Sequence, residues 1–377
     1  MILNNINNAK LGTSQVRKIY MGSNPVWDQN FNPTADVTNW LNAITAARAA
    51  NGGNNFVSPD QTIINALNAF ISGLYVYNLR SKIFRLNLFC GGDWSSSFIP
   101  VIRDVGNSSW DYNGVKGTTA AQLLTGPFTS SMWSLTGGFD ASAVNSSIFG
   151  RTTIGAYLDT GISSSNANFL SAMTNYDVHC ACYVSTLGNK YGTVADLTEI
   201  GYYGPNSALM FLRANYKPYY ADVFQSTAQR GTPGFYTYNG SASTDGTNAL
   251  VYTQNNFSFD PRGFSVGVRT SSSYTAFYKN TAFTGTMYLP QAYQTPTQRF
   301  FNPNYNPVTY AGLTANSTVT IFCDSANNAL GVAKNSTAYS DRAITMYSIG
   351  KGLTDNDIAN YTNLIQTFNS AIGRTNY

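Results

Sequence analysis

Apolar positions recur at helical spacing between residues 34 and 75 and at strand spacing over most of the chain beyond residue 145. Val37, Trp40, Leu41 and Ile44 form one stripe, which stops at Gly52-Gly53, a helix C-terminal signal. A second stripe, Ile63, Leu67, Phe70, Ile71 and Leu74, comes after Ser58-Pro59-Asp60-Gln61. That tetrad predicts an N-cap at Ser58, a proline at the first helical position and a capping-box glutamine. Together the stripes predict a helical hairpin that needs an apolar neighbour, and Ile83, Leu86, Leu88 and Phe89 in the next segment can cover it. Strand-like runs then recur between turn signals: 149–161, 176–186, 197–203, 208–214, 264–270, 274–278, 318–323 and 343–349. Many short strands without an intervening helical period predict a β-sandwich.

The two ends carry shorter patterns. Val16, Lys18 and Tyr20 alternate with Arg17 and Ile19, Met21-Gly22-Ser23-Asn24 supplies turn chemistry, and Pro25-Val26-Trp27 starts a return arm. Two strands bury too little surface to be stable alone, so this hairpin is expected to dock on its own chain or another protein. At the other end Thr354 caps a helix with Asp355 and Asp357 in its first turn, where the helix dipole favours acids. Ile358, Tyr361, Ile365, Phe368 and Ile372 fall on one stripe of it, which is expected to pack on the sandwich or on the 34–75 hairpin. Residues 92–145, rich in Gly, Ser, Thr and Asn with isolated Trp94, Trp110, Tyr112 and Trp133, read as long loops with short strands. The expected organisation is a β module at 1–31, a helical hairpin region at 32–91, a loop-rich connector at 92–145 and a β domain with a C-terminal helix at 146–377.

Composition narrows the function. Of 377 residues 43% are hydrophobic and 14% aromatic, as in a folded protein, yet only 11% are charged against about 25% in ordinary soluble proteins. The surface must therefore be built largely from Asn, Thr, Ser, Tyr and Gly, which suits contact with glycans or neighbouring subunits. The net charge of +4 is spread without a basic run that could track phosphates, so nucleic-acid binding is not expected. No stretch approaches the roughly 18–20 apolar residues of a membrane span, and Met1-Ile2-Leu3-Asn4-Asn5 lacks a basic leader region and a cleavage site, so a soluble chain made in the cytoplasm is expected. Cys90, Cys180, Cys182 and Cys323 show no metal-ligand spacing; Cys180 and Cys182 would share one strand face as small hydrophobes. No metal or other cofactor is expected.

The phrase Lys18-Ile-Tyr-Met-Gly-Ser-Asn-Pro-Val-Trp27 resembles the small β-module that begins many phage tail and head-fibre proteins. The closing segment Ile349-Gly-Lys-Gly-Leu-Thr-Asp-Asn-Asp-Ile358 is similar to the last strand and helix of the concanavalin-like or laminin-G-like domains these proteins often carry. Ala156-Tyr-Leu-Asp-Thr-Gly161, Thr275-Ala-Phe-Tyr-Lys-Asn280 and Thr345-Met-Tyr-Ser-Ile-Gly350 look like three signature strands of that jelly roll, although Lys279-Asn280-Thr281 stands where the family often has Asn-Gly. The resemblance implies a mainly β chain: an antiparallel jelly-roll β-sandwich with an N-terminal β-hairpin module, a helical hairpin and a C-terminal helix. It further implies a virion component (head fibre, capsid decoration or tail fibre) assembled in the bacterial cytoplasm. Its partners would be other capsid or tail proteins, further copies of itself as a homo-oligomer, and host-surface glycan. Lys18, Tyr20 and Trp27 are the attachment candidates on that reading.

Concanavalin-like folds also host glycoside hydrolases, so a polysaccharide depolymerase is the alternative. Such enzymes generally need two carboxylates flanking the scissile bond. Glu199 is the one glutamate, three residues from Asp196 and so on the opposite strand face; a pair of distant aspartates such as Asp159 and Asp222 is what remains. His179, the one histidine, lies in an apolar strand pattern, and no Gly-x-Ser-x-Gly elbow occurs. A non-enzyme is therefore expected. Sugar stacking is assigned to Tyr-rich loops, with Tyr203, Tyr219, Tyr220, Tyr236 and Tyr238 as candidates.

Overall fold

In the computed structural model of the chain, residues 9–11, 14–16, 18–21, 24–28, 34–115, 128–140, 156–175, 177–186, 199–203, 209–213, 234–238, 262–271, 274–280, 298–301, 318–323, 340 and 342–377 are described. They form a mainly antiparallel β structure with four helices. Two small hairpins come first: β1 (Ala9–Leu11) with β2 (Ser14–Val16), and β3 (Lys18–Met21) with β4 (Asn24–Asp28). The second is the hairpin expected from the alternation at residues 16–27.

Helix α1 (Ala35–Ala50) starts where the Thr34 hydroxyl accepts from the Val37 N–H. It ends as the glycine pair requires: Gly52 and Gly53 sit at φ of 66° and 82°, and the Gly53 N–H turns back to the Arg48 carbonyl at 2.9 Å. Helix α2 (Gln61–Val76) is capped by Asp60, whose carboxylate accepts from the Ile63 N–H at 2.9 Å. This corrects the expected cap at Ser58: aspartate caps as well as serine, and Gln61 is the first helical residue, too early for a capping box. Its whole expected stripe, Ile63, Leu67, Phe70, Ile71 and Leu74, is buried.

The larger sheet runs β17 (Gln298–Phe301), β16 (Tyr274–Asn280), β15 (Gly263–Ser271), β11 (Val178–Val184), β19 (Ala343–Gly350), β5 (Ile83–Asn87) and β6 (Ile102–Arg103), with β9 (Gly138–Asp140) also on β19 and β8 (Trp133–Ser134) on β9. The second runs β14 (Gly234–Tyr238), β13 (Leu209–Arg213), β12 (Ile200–Tyr203), β18 (Thr320–Ile321), β10 (Ala156–Asp159) and β7 (Tyr112–Val115). Strands β5 to β9 thus hydrogen-bond into the same two sheets as the strands after residue 146. Strand β5 is buried along its whole length, its polar Arg85 and Asn87 included.

Helix α4 (Asp355–Ala371) carries the expected capping box between Thr354 and Asp357. Its stripe lies over the larger sheet, with Tyr361 edge-on to Phe264 at 5.5 Å and the Tyr278 hydroxyl donating to Asp355 at 2.6 Å. Helix α2 packs on α4 through Phe70, whose ring meets Tyr361 at 6.2 Å and Phe368 at 5.7 Å. Gly73 permits this approach, since a Cβ there would run into the Leu364 side chain. Such ring pairs contribute about 0.5–1.5 kcal/mol each beyond the area they bury.

On β11 the alternation places His179, Ala181 and Tyr183 toward α4 and Cys180, Cys182 and Val184 on the other face. That second face belongs to one continuous hydrophobic core with Leu158, Ile200, Leu212 and Ile321 of the second sheet. Phe89, Phe98 and Phe128 surround Phe139 at 4.6–5.2 Å, and Phe128 reaches Phe322 beyond β18 at 5.4 Å. None of the four cysteines is in a disulfide and all are buried, as their apolar settings predict.

Two further readings are corrected. Helix α3 (Ala167–Thr174) interrupts the strands where no helical period was read. Its Phe169 packs edge-on to Tyr202 at 5.0 Å, so tertiary packing holds a helix of only eight residues. Tyr202-Tyr203 and Phe235-Tyr-Thr-Tyr238 lie in β12 and β14, not in loops; aromatic residues suit a pleated surface.

Candidate functional site

The sequence candidates fall into two groups, which the strand registers place. In the N-terminal hairpin Lys18 pairs with Asp28, Ile19 with Trp27 and Tyr20 with Pro25. Directly opposed residues share a face and successive residues alternate. Lys18 and Tyr20 therefore occupy one face of the hairpin and Trp27 the other. A bulge between Ile19 and Tyr20 leaves Val26 outside the paired register.

Among the tyrosines, Tyr203 pairs with Leu209, and Leu209 with Tyr238 on its other side. Tyr236 pairs with Phe211. Since 209 and 211 share parity, Tyr203, Tyr236, Tyr238 and Phe211 occupy one face across three neighbouring strands. Strand β14 is the last in the sheet order. Neighbouring strands lie about 4.8 Å apart, so the row from Tyr203 to Tyr238 spans about 10 Å of backbone. Tyr219 and Tyr220 lie outside the described residues.

Two acid–base pairs with described surroundings are wholly buried. Arg85 on β5 donates from Nε and Nη2 to Asp111 at 3.0 and 2.8 Å, and neither side chain has exposed surface. Tyr347 donates to the other carboxylate oxygen at 2.6 Å and Asn87 at 3.3 Å. Arg85 Nη1 completes the set on the carbonyls of Val105 and Asn107. Burial pushes the Asp111 carboxyl up even with Arg85 beside it, and pushes the Tyr347 phenol well up. Glu199 accepts from Arg342 at 2.5 Å and from the Ser340 hydroxyl at 3.1 Å, again wholly buried. Asp159 is buried in β10, with Oδ1 accepting from the Gly161 N–H at 3.0 Å; Asp196 and Asp222 lie outside the described residues.

His179 is buried, as its apolar setting predicts. Its Nδ1 lies 2.5 Å from the Lys351 carbonyl and its Nε2 3.3 Å from the Ser348 hydroxyl. Burial lowers its pKa to about 4, so the ring is neutral near pH 7. Among the described residues no group of three or more His, Cys, Asp and Glu side chains could hold a metal ion, and no helix is long and apolar enough to cross a membrane.

Sequence reasoning missed the Arg85–Asp111 and Arg342–Glu199 pairs. Their members lie 26 and 143 residues apart, so no local motif links them. One signal was present: Arg85 and Asn87 alternate with Phe84, Leu86 and Leu88, which puts polar groups at period two inside an apolar run.

No family model matches the chain, and no curated relative does. One solved structure found by fold comparison is titled a crystal structure of arabinofuranosidase complexed with arabinofuranosyl-α-1,2-xylobiose. It is 12% identical at a TM-score of 0.30, and the match covers 62% of this chain. The chain spans about half, 47%, of that neighbour's length. The expectation of a non-enzyme is corrected on this finding: the neighbour is a glycosidase, and the exclusion is withdrawn. At this TM-score the likeness carries no argument for a hydrolytic activity either.

Proposed function

We propose that the chain is a structural component of a phage virion, of the head-fibre, capsid-decoration or tail-fibre kind, attached through its N-terminal region. The observation that carries this reading is the hairpin of β3 and β4. It forms in the segment that resembles the phage module, and it belongs to neither of the two large sheets. A two-stranded unit needs a surface to dock on, and attachment to another virion protein supplies one.

On this reading the two sheets make a jelly-roll β-sandwich of the concanavalin-like type, displayed outward for adhesion to host-surface glycan. The antiparallel pairing, the shared core and the tyrosine row on β12 and β14 support it. The low content of charged residues, 11%, suits a surface that meets neutral hydroxyl-rich partners.

The test is immunogold labelling of particles of the encoding phage, carrying either the full chain or residues 32–377. Labelling at a fixed position on the capsid or tail, lost with the shortened chain, is the expected result. Particles without label, or equal incorporation of the shortened chain, would overturn the attachment reading.

A further inference from the structure

Just beyond α4, a cation sits inside the protein on main-chain oxygens. Arg374 is buried, and its guanidinium donates to carbonyls throughout: Nε to Leu135 at 2.6 Å, Nη1 to Leu88 at 2.8 Å and Thr345 at 3.0 Å, and Nη2 to Phe89 at 3.0 Å. The Phe368 ring lies 5.9 Å from its central carbon. Among the described residues no carboxylate pairs with it. Desolvation brings its pKa down to about 10.

The four acceptors come from three separate stretches: the segment after β5, the turn between β8 and β9, and β19. Residues 375–377 extend the contact, for the Tyr183 hydroxyl donates to the Thr375 carbonyl at 3.4 Å and accepts from the Tyr377 N–H at 2.8 Å. Arg262 lies over the Tyr377 ring at 4.6 Å. Residues 374–377 therefore run as a strap from the end of α4 across β11 toward the start of β15.

We propose that Arg374 is the clasp of this strap, fastening residues 88–89, 135 and 345 to the C-terminal helix, and that the carbonyl cage is selective for a planar guanidinium. Geometry carries the selectivity. Arginine presents its donors in a fixed plane, and three of its nitrogens are in use here. An ammonium offers three donors from one atom and cannot span the same four oxygens. With no carboxylate among the described residues to attract it, positive charge alone does not fill the site, and buried carbonyls left without donors destabilise the fold.

The experiment measures thermal unfolding of the full chain as wild type, Arg374→Ala and Arg374→Lys, each with and without guanidinium or methylammonium chloride at about 20 mM, far below the molar range in which guanidinium denatures. Both variants are expected to lose about 5 °C or more in Tm, the scale of a lost buried network in a domain of this size. Guanidinium is expected to restore a measurable part of the Arg374→Ala loss, with methylammonium inert. Hydrogen exchange on the Arg374→Lys variant should show joint deprotection of 83–89, 133–139 and 343–350. A lysine variant as stable as wild type, rescue by either cation alike, or deprotection confined to 370–377 would overturn the proposal. Should Arg374→Ala fail to fold, the lysine variant and its exchange pattern decide.

Discussion

The Arg85 guanidinium and the Asp111 carboxylate meet 2.8 Å apart where neither has any surface in water. Tyr347, Asn87 and two carbonyls take up the remaining hydrogen-bonding capacity. Taking both charges out of water is costly, and their attraction repays it only because the network is complete. Removing one member strands the other. Asp111→Ala is expected to destabilise the chain by about 3–5 kcal/mol in denaturant unfolding, whereas Arg85→Met combined with Asp111→Leu should cost clearly less. Equal losses for the single and double variants would show that the network is needed for shape and not for charge balance.

His179 predicts an acid-sensitive stability. Its ordinary value is 6.5, and burial takes it to about 4 in the folded chain. Between those values the unfolded chain binds the proton and the folded chain does not, so stability is full above about pH 6.5 and falls as pH drops toward 4. The loss by pH 4 amounts to roughly 3 kcal/mol at 1.36 kcal/mol per unit. Lys82 and Asp357, paired at 2.6 Å, face the same region, and the Asp357 carboxyl is held below its usual range by Lys82 and Thr354 in spite of burial. Its stability contribution therefore disappears only below about pH 4, in a separate window. The measurement is Tm from about pH 7.5 to about 4.5 for wild type and His179→Gln, with a flatter profile expected for the variant.

The first turn of α4 makes a sharper local prediction. Thr354 accepts from the Asp357 N–H at 3.2 Å, and the Asp357 carboxylate accepts from the Thr354 N–H at 2.8 Å. Thr354→Ala should cost about 1 kcal/mol and Thr354→Ser almost nothing. Asp357→Asn should cost more than Thr354→Ala, because it also weakens the pair with Lys82. The same denaturant titration ranks the three, and a serine variant as weak as alanine would refute the capping account.

How much of this was legible in the sequence depended on the range of the interaction. The stripes of α2 and α4 could be read, because Ile63 to Leu74 and Ile358 to Phe368 repeat within a few turns and bury that one face. The cap of α2 was read two residues early, because Ser58-Pro59 and Asp60-Gln61 are both sound starts and only the folded chain chooses between them. Helix α3 escaped because eight residues make too short a period to see and Tyr202, distant in sequence from Phe169, helps to hold it in place. The pairings of Arg85 with Asp111 and of Arg374 with four carbonyls left no trace beyond a polar residue in an apolar setting. For the adhesion candidates the sequence supplied tyrosines, and the strand register supplied their common face.

That common face yields the last prediction. Tyr236 and Tyr238 lie on β14 in register with Phe211 and Leu209, and Tyr203 lies on the far side of Leu209. Thr237, which pairs with Met210, occupies the opposite face of the same strand. If the tyrosine face stacks sugar rings, each ring contributes about 1 kcal/mol, so Tyr236→Ala with Tyr238→Ala should weaken binding about thirtyfold. Thr237→Ala, one residue from either, should leave it unchanged. The check is a glycan array with the full chain to find a ligand, then titration of that ligand against the double tyrosine variant and Thr237→Ala. An equal loss in Thr237→Ala would point to damage to the strand, and unchanged binding in the double tyrosine variant would remove this face from the adhesion reading.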